Sequence, residues 1–312
     1  MKIQIGERVV YVDAKFVRML QTLVPPPTVS VPPGTQAPVP PPVDAKKSIL
    51  PSGRKGDQRL RHEGGLSFEL SNIYYDEPGF MRNKGFMWGA SGDYTYRPNN
   101  LRFKLDSRFS FGNVDYWSDG TGTAEDFRDY NFETRFSFGF DFGTTSKTAF
   151  FSPYTGLGYR YLFDGSEGRE TSSGARGYDR KSNYLYSPLG IEAMFRLKGG
   201  WSLGLTGEYD HFWHGWQYSE LGYYQLVPLL IEVPDYVAKD DQEKGWGART
   251  SLSIIRNLGR VDLLIEPYIR YWDIEDSDGF KLYVIGYPDY PFGGREPANS
   301  TTEWGTKLGI RF

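Results

Sequence analysis

The residue types best suited to chemistry lie together in "EYDHFWHGW", residues 208–216. Glu208, Asp210 and His214 fall on one side of a period-two pattern, whereas His211 falls on the other. General acid–base catalysis needs a proton acceptor and a partner that orients it, and a carboxylate beside an imidazole supplies both. Asp210 and His214 are therefore the candidate catalytic residues. A girdle or loop-packing role is the alternative, and the one we favour.

Two other stretches are rich in acidic residues. "NVDYWSDG" holds Asp115 and Asp119, the nearest approach to an opposed carboxylate pair. "DIEDSDG", residues 273–279, has the composition of a calcium loop, but its acids miss the alternate positions that an EF-hand requires, so a solvated loop is expected. The sequence has no phosphate-binding glycine loop, no HExxH motif and no serine elbow. We expect no metal and no cofactor.

Composition indicates the class of fold. The 312 residues include 23 Tyr, 21 Phe, 8 Trp, 37 Gly and no Cys, a profile typical of an aromatic, turn-rich all-β protein. Because 36 basic residues balance 39 acidic ones, no nucleic-acid partner is expected. The mean hydropathy is -0.53, and no stretch approaches the roughly 20 consecutive apolar residues that a membrane helix needs. This excludes a helical membrane protein but not a membrane barrel, in which alternate residues face a polar lumen.

Ten long strands are predicted, near 65–76, 86–97, 101–114, 130–142, 149–163, 183–197, 201–216, 245–256, 260–273 and 301–312. Short connections alternate with long loops, which are expected at 77–85, 115–129, 164–182, 217–244 and 274–300. This alternation is typical of an up-and-down barrel that spans a membrane. The first residues, "MKIQIGERVVYVDAKFVRML", lack a secretory signal, so a membrane assignment requires a processed or recombinant chain.

The two faces of the strands differ sharply. On the fourth predicted strand Phe136, Phe138 and Phe140 alternate with Arg135, Ser137 and Gly139. The apolar face would pack against a second sheet in a sandwich, or against lipid in a barrel. Tryptophans near strand ends favour the barrel because they fit interfacial girdles; they are Trp88, Trp201, Trp213, Trp246, Trp272 and Trp304.

The same alternation predicts a lumen with balanced charge. Its acids are Glu69, Asp93, Asp106, Glu133, Asp141, Glu192, Glu208, Asp210, Asp262, Glu266 and Glu303; its bases are Arg102, Lys104, Arg108, Arg135, Arg160, Arg196, Arg249, Arg270, Lys307 and Arg311. A ten-stranded barrel is narrow enough for such side chains to cross it and pair. We therefore expect a closed, salt-bridged lumen rather than an open pore.

The N-terminal part has a different organisation. Residues 1–24 are predicted to form a small periplasmic head, with a strand pair and a short amphipathic helix. Residues 25–63 form a Pro-rich and basic linker, in which nine of the eighteen residues 25–42 are proline. Residues 64–312 form the barrel. The apolar stripe on the predicted helix is the expected partner-binding surface and comprises Phe16, Met19, Leu20 and Leu23.

The tail "WGTKLGIRF" resembles the carboxy-terminal signal of bacterial outer-membrane β-barrel proteins. Glu303, Gly305, Leu308 and Ile310 match its spacing and Phe312 supplies the terminal aromatic, although the usual register would put the last apolar position at the terminus. The resemblance implies recognition by the barrel-assembly machinery and residence in a Gram-negative outer membrane. The strand number also resembles that of the omptin proteases, but the omptin spacing of Asp and His two residues apart is absent here.

The predicted fold class is thus all-β: a ten-stranded antiparallel up-and-down transmembrane β-barrel with an N-terminal Pro-rich extension. We expect contact with outer-membrane lipid, an arm in the periplasm and a periplasmic protein partner. The expected function is non-enzymatic anchoring of a periplasmic or envelope-spanning assembly. A porin-like channel for small solutes, a surface enzyme of omptin or lipid-modifying type, and an adhesin are the alternatives.

Overall fold

The computed structural model describes residues 60–143, 148–220, 239–279 and 294–312, together with the backbone of 2–5, 8–11, 221, 225–226, 231–232, 236–238, 280–284 and 287–293. The strands are β1 (Lys2–Ile5), β2 (Arg8–Tyr11), β3 (His62–Glu77), β4 (Met81–Tyr96), β5 (Leu101–Ser118), β6 (Gly122–Phe140), β7 (Ala149–Gly165), β8 (Asp179–Arg196), β9 (Trp201–Leu221), β10 (Gln225–Leu226), β11 (Ile231–Glu232), β12 (Tyr236–Gln242), β13 (Gly245–Asn257), β14 (Asp262–Ile274), β15 (Phe280–Val284), β16 (Tyr287–Gly294) and β17 (Asn299–Arg311).

Two compact units divide the chain, residues 1–49 and 50–312. In the first, β1 and β2 form an antiparallel hairpin, as the sequence predicts. The predicted helix and its stripe of Phe16, Met19, Leu20 and Leu23 lie outside the described residues. No helix in the described part of the chain is long and apolar enough to cross a membrane.

The second unit contains a closed barrel. Its ten strands, β3–β9, β13, β14 and β17, pair antiparallel with their neighbours, and β17 pairs with β3 to close the cylinder. Phe68 lies opposite Leu308 at this seam, and Gly64 and Phe312 exchange two backbone hydrogen bonds of 2.9 Å. All ten predicted barrel strands are present, and the predicted fold class is confirmed for the barrel.

A band of apolar side chains covers the outside of the cylinder. Phe136, Phe138 and Phe140 are exposed, and a ring of aromatics marks one edge of the band, where Phe111 lies opposite both Trp88 and Tyr130. Beyond this ring the outward positions become polar, for instance at Lys84, Asn113 and Arg128. An apolar belt of this kind needs hydrocarbon around it, so the strands below the ring are membrane-spanning.

The prediction that Trp272 belongs to an interfacial girdle is wrong. Trp272 faces the lumen, 2% exposed, and packs against Tyr184 and Tyr186, whereas Trp88 and Trp304 are exposed as predicted. Side chains alternate between the two faces of a strand, and Trp272 is an even number of residues from Glu266 and Arg270. It must therefore share their inward face.

The strands end at two different edges. One edge, here called the turn edge, carries four short connections as well as the start of β3 and the end of β17. The other, the loop edge, carries the connections 166–178, 222–244 and 275–298. The prediction of long loops at 77–85 and 115–129 is wrong, because β3–β6 continue past the apolar band and turn at 78–80 and 119–121. Gly79 and Gly122, at φ 82° and 81°, permit these tight turns.

Lumen-facing glycines make room for aromatic rings on neighbouring strands. Gly158 lies directly opposite Tyr186, and Gly190 directly opposite Tyr154. A β-carbon on either glycine would clash with the facing ring. Each tyrosine therefore lies flat over a glycine and sends its hydroxyl into the lumen, which positions it to bond the carboxylates described below.

Candidate functional site

Arg249 on β13 is the centre of one ionic cluster in the lumen. Its guanidinium lies 2.8 Å from carboxylate oxygens of Glu133, Glu208 and Asp210, which come from two other strands. Arg135 completes the cluster by contacting Glu208 at 2.7 Å. The side chains of Arg249 and Asp210 are 8% and 1% exposed, so these charged groups are shielded from water and interact with each other instead.

Arg108 on β5 is the centre of a second cluster. It contacts Glu69 at 3.1 Å and also binds Glu303, while Arg270 lies 3.3 Å from Glu303. The hydroxyl of Tyr268 donates to either carboxylate at 3.2 Å. The two clusters together connect strands from opposite sides of the cylinder.

These contacts cross the lumen. Every one of the twenty-one charged residues predicted to face inward does so, as the register of the strands shows. Towards the turn edge Arg102 pairs with Glu192 at 3.0 Å. Residues of both clusters, among them Glu133, Arg249 and Arg108, line a cavity with a volume of about 90 Å³.

Arg160 differs from the other lumen arginines. It is 5% exposed, and its Nη1 has no hydrogen-bond partner among the described residues. Its guanidinium carbon instead lies 5.3 Å from the ring centre of Trp272 and 5.9 Å from that of Tyr184. Cation–π contact is thus its main interaction in the lumen.

The structure separates Asp210 from His214. A bulge in β9 places an extra residue opposite β8, where Tyr186 pairs with Phe212 and Leu185 with His214. The bulge inverts the alternation, so His214 faces outward while Asp210 faces the lumen and binds Arg249. The prediction that both share the lumen face is wrong. His214 Nε2 instead lies 3.3 Å from Asp241 Oδ1, and its ring packs on Trp216.

The other acidic stretches are likewise dispersed. Asp115 points outward and accepts a backbone hydrogen bond from Asp126 at 3.3 Å, whereas Asp119 is exposed at the tip of the β5–β6 hairpin. In residues 273–279, Asp276 pairs with Arg295. Among the described residues, no group of three or more His, Asp or Glu side chains is arranged to hold a metal ion.

A cluster that the sequence did not predict lies at the loop edge, beyond the aromatic ring. Arg180 on β8 contacts Glu77 at 2.5 Å, Asp164 at 3.0 Å and Glu296 at 3.5 Å. Asp129 lies directly opposite Asp164, with both side chains inward. Burial, and then the charge of Asp164, raise the pKa of Asp129 well above its ordinary value. Burial raises the pKa of Glu296 to about 7, against the influence of Arg180.

The predicted assembly signal belongs to β17. Glu303 and Gly305 face the lumen, whereas Leu308, Ile310 and Phe312 are exposed on the lipid side. Glu303 also binds Arg108, so the polar position of the motif belongs to an ionic cluster. Its recognition by an assembly machinery stays a prediction.

These features define a transmembrane β-barrel with an ion-paired lumen. The outer membrane protease OmpT of Escherichia coli has a similar structure, with a TM-score of 0.56 and 11% identity over 80% of this chain and 96% of that one. The translocator domain of NalP from Neisseria meningitidis matches with a TM-score of 0.38 and 9% identity, over 80% and 89% of the two chains. A major outer membrane protein of Thermus thermophilus matches with a TM-score of 0.35 and 12% identity, over 80% and 99%.

Neither a known protein family nor a curated protein matches the sequence. The similarity to OmpT concerns the fold, because 11% identity carries no residue-level correspondence. The chain is therefore assigned to a class of architecture, the ten-stranded transmembrane barrels.

Proposed function

We propose that this protein is an outer-membrane barrel that acts as a non-enzymatic anchor, holding a periplasmic or envelope-spanning assembly through its N-terminal arm. The observation that supports this most directly is the lumen, where Arg249 and Arg108 join strands across the cylinder. A barrel whose interior is filled by paired charges is a rigid body in the membrane. Rigidity is what a fixed attachment point requires.

The edge at which the barrel begins supports the same proposal. Residue 60 leads into β3 at the turn edge, the edge that carries the short connections. Outer-membrane barrels keep their short turns on the periplasmic side. A Pro-rich segment before residue 60 would therefore extend into the periplasm, and an apolar stripe of Phe16, Met19, Leu20 and Leu23 would be available there to a protein partner.

The test compares three chains in outer membranes: the full chain, a chain lacking residues 1–43, and a full chain with Phe16, Met19, Leu20 and Leu23 replaced by serine. Cross-linking and affinity capture should recover a periplasmic partner with the first chain only. The Arg176→Met variant, changed on an exposed loop, is the matched control and should keep the partner. If the truncated chain captures the same proteins as the full chain, the anchor proposal fails.

A surface protease is the second candidate, favoured by the fold shared with OmpT. In that case the wild-type protein in micelles should cleave members of a peptide library, and Asp210→Asn or His214→Ala should abolish this cleavage. An anchor would show no cleavage that depends on these residues. The porin-like alternative predicts conductance steps in a planar bilayer, which the ion-paired lumen argues against.

A further inference from the structure

A small cavity lies at the loop edge, inside the barrel wall and beyond the aromatic ring, and Ile73, Leu162 and Phe163 give it an apolar as well as a polar lining. It has a volume of about 40 Å³ and is lined by Asn83, Asp129 and Asp164, with Thr301 and Arg180 also at its wall. β6, β7 and β8 bring the charged groups together, because Asp164 lies opposite Asp129 on one side and Arg180 on the other.

Three oxygens in this cavity, Asn83 Oδ1, Asp129 Oδ1 and Asp164 Oδ1, are buried without a hydrogen-bond partner, as is one donor, Asn131 Nδ2. Asn83 is 2% exposed, and its Nδ2 donates to Asp164 Oδ2 at 3.3 Å. This bond fixes the orientation of the amide and leaves its oxygen as the unpaired atom. Buried oxygens in a cavity of this size are typical of a site that a further group completes.

The charges of this region do not balance. Arg180 is shared by Glu77, Asp164 and Glu296, and Asp129 has no cation in contact among the described residues. Four carboxylates thus face one guanidinium.

We propose that this cavity binds a calcium ion, with Asp129, Asp164 and Asn83 as its protein ligands and water in the remaining positions. A donor set made only of oxygens suits a hard cation, and Ca²⁺ accepts carboxylate and amide oxygens in irregular geometry. Its double charge offsets most of the excess of carboxylates over Arg180. This site is independent of the anchor function and would be present with or without a periplasmic partner.

Terbium provides a direct probe, because Tyr75 also lines the cavity and can sensitise its luminescence. The full chain in micelles, freed of metal with EDTA, should bind Tb³⁺ and release it to Ca²⁺. Asp129→Asn should weaken Ca²⁺ binding by roughly tenfold or more, since it removes a charged ligand. This variant is the cleanest one because Asp129 takes part in no ion pair of the cluster. Asn83→Leu should also weaken binding.

Asp119→Asn is the matched control, since it removes the same charge from an exposed position on the neighbouring hairpin. It should bind Ca²⁺ like the wild type. A heat-modifiable gel shift confirms that each variant is folded, and Ca²⁺ should raise the melting temperature of the wild type and of Asp119→Asn but not of Asp129→Asn. Equal Ca²⁺ binding by Asp129→Asn and Asp119→Asn would overturn the proposal, as would the absence of binding at pH 8.

Discussion

Replacing Arg249 by methionine is the sharpest test of how the lumen is stabilised. The substitution keeps a long aliphatic side chain but removes the cation that contacts Glu133, Glu208 and Asp210 at 2.8 Å. Glu208 retains Arg135, at 2.7 Å. Glu133 and Asp210 are left as buried carboxylates whose main cation has gone.

The expected loss of stability follows from this inventory. Removing one partner of a buried, hydrogen-bonded ion pair costs about 3–5 kcal/mol, because the remaining charge has lost both water and its partner. The exposed pair Arg176–Glu170, at 3.5 Å with side chains 74% and 61% exposed, provides the matched control. Arg176→Met should change the free energy of unfolding by less than about 1 kcal/mol.

Urea unfolding in lipid vesicles, followed by tryptophan fluorescence, measures both values. A triple variant with Arg249→Met, Glu133→Gln and Asp210→Asn should recover much of the lost free energy of unfolding, because it removes the two unpaired carboxylates together with their cation. The reasoning is refuted if Arg249→Met is as stable as Arg176→Met, or if the triple variant is no more stable than the single one.

Three further predictions concern the packing, the titration and the permeability of the barrel. Gly158→Ala should lower the free energy of unfolding by about 1–3 kcal/mol in the same assay, because its methyl group would displace the ring of Tyr186; Gly207→Ala, where a β-carbon meets open space, is its control. In EDTA, the free energy of unfolding of the wild type should fall as the pH rises from about 4.5 to about 7, because Glu296 keeps a proton in the folded protein that the unfolded chain has released. Glu296→Gln should reduce this dependence of stability on pH by up to about 1.4 kcal/mol per pH unit. Glu167→Gln, at an exposed position, should leave it unchanged. The wild type should show no conductance steps in planar bilayers at 1 M salt, and regular steps of constant size would contradict the closed lumen.

The alternation of side chains made most of the barrel predictable. Period two assigns each residue to one face, so a correct strand position also assigns every charge on it, as with Arg249 and Glu303. Which charges pair across the lumen could not be predicted, because strands far apart in sequence meet there. Glu69, Arg108 and Glu303 illustrate this, coming from β3, β5 and β17.

The errors also have physical causes. The bulge that turns His214 outward depends on one extra residue near Trp213, and no glycine or proline precedes it as a signal. The loop-edge cluster was missed because the predicted strands stop where the apolar residues stop. Asp129, Asp164 and Arg180 lie on the polar extensions of β6, β7 and β8, where an exposed loop and a hydrogen-bonded strand have similar composition.

The seam between β3 and β17 has a consequence for how this molecule acquires its shape. Phe68 lies opposite Leu308 there, so the first and last strands of the barrel pair with each other although they lie at opposite ends of its sequence. Contacts between such distant segments carry a high entropic cost during folding. Until these two strands pair, both edges of the sheet have backbone N–H and C=O groups without hydrogen-bond partners, which a neighbouring polypeptide can bind. We therefore expect barrel closure to be a slow step of folding and the exposed strand edges to favour aggregation until it is complete.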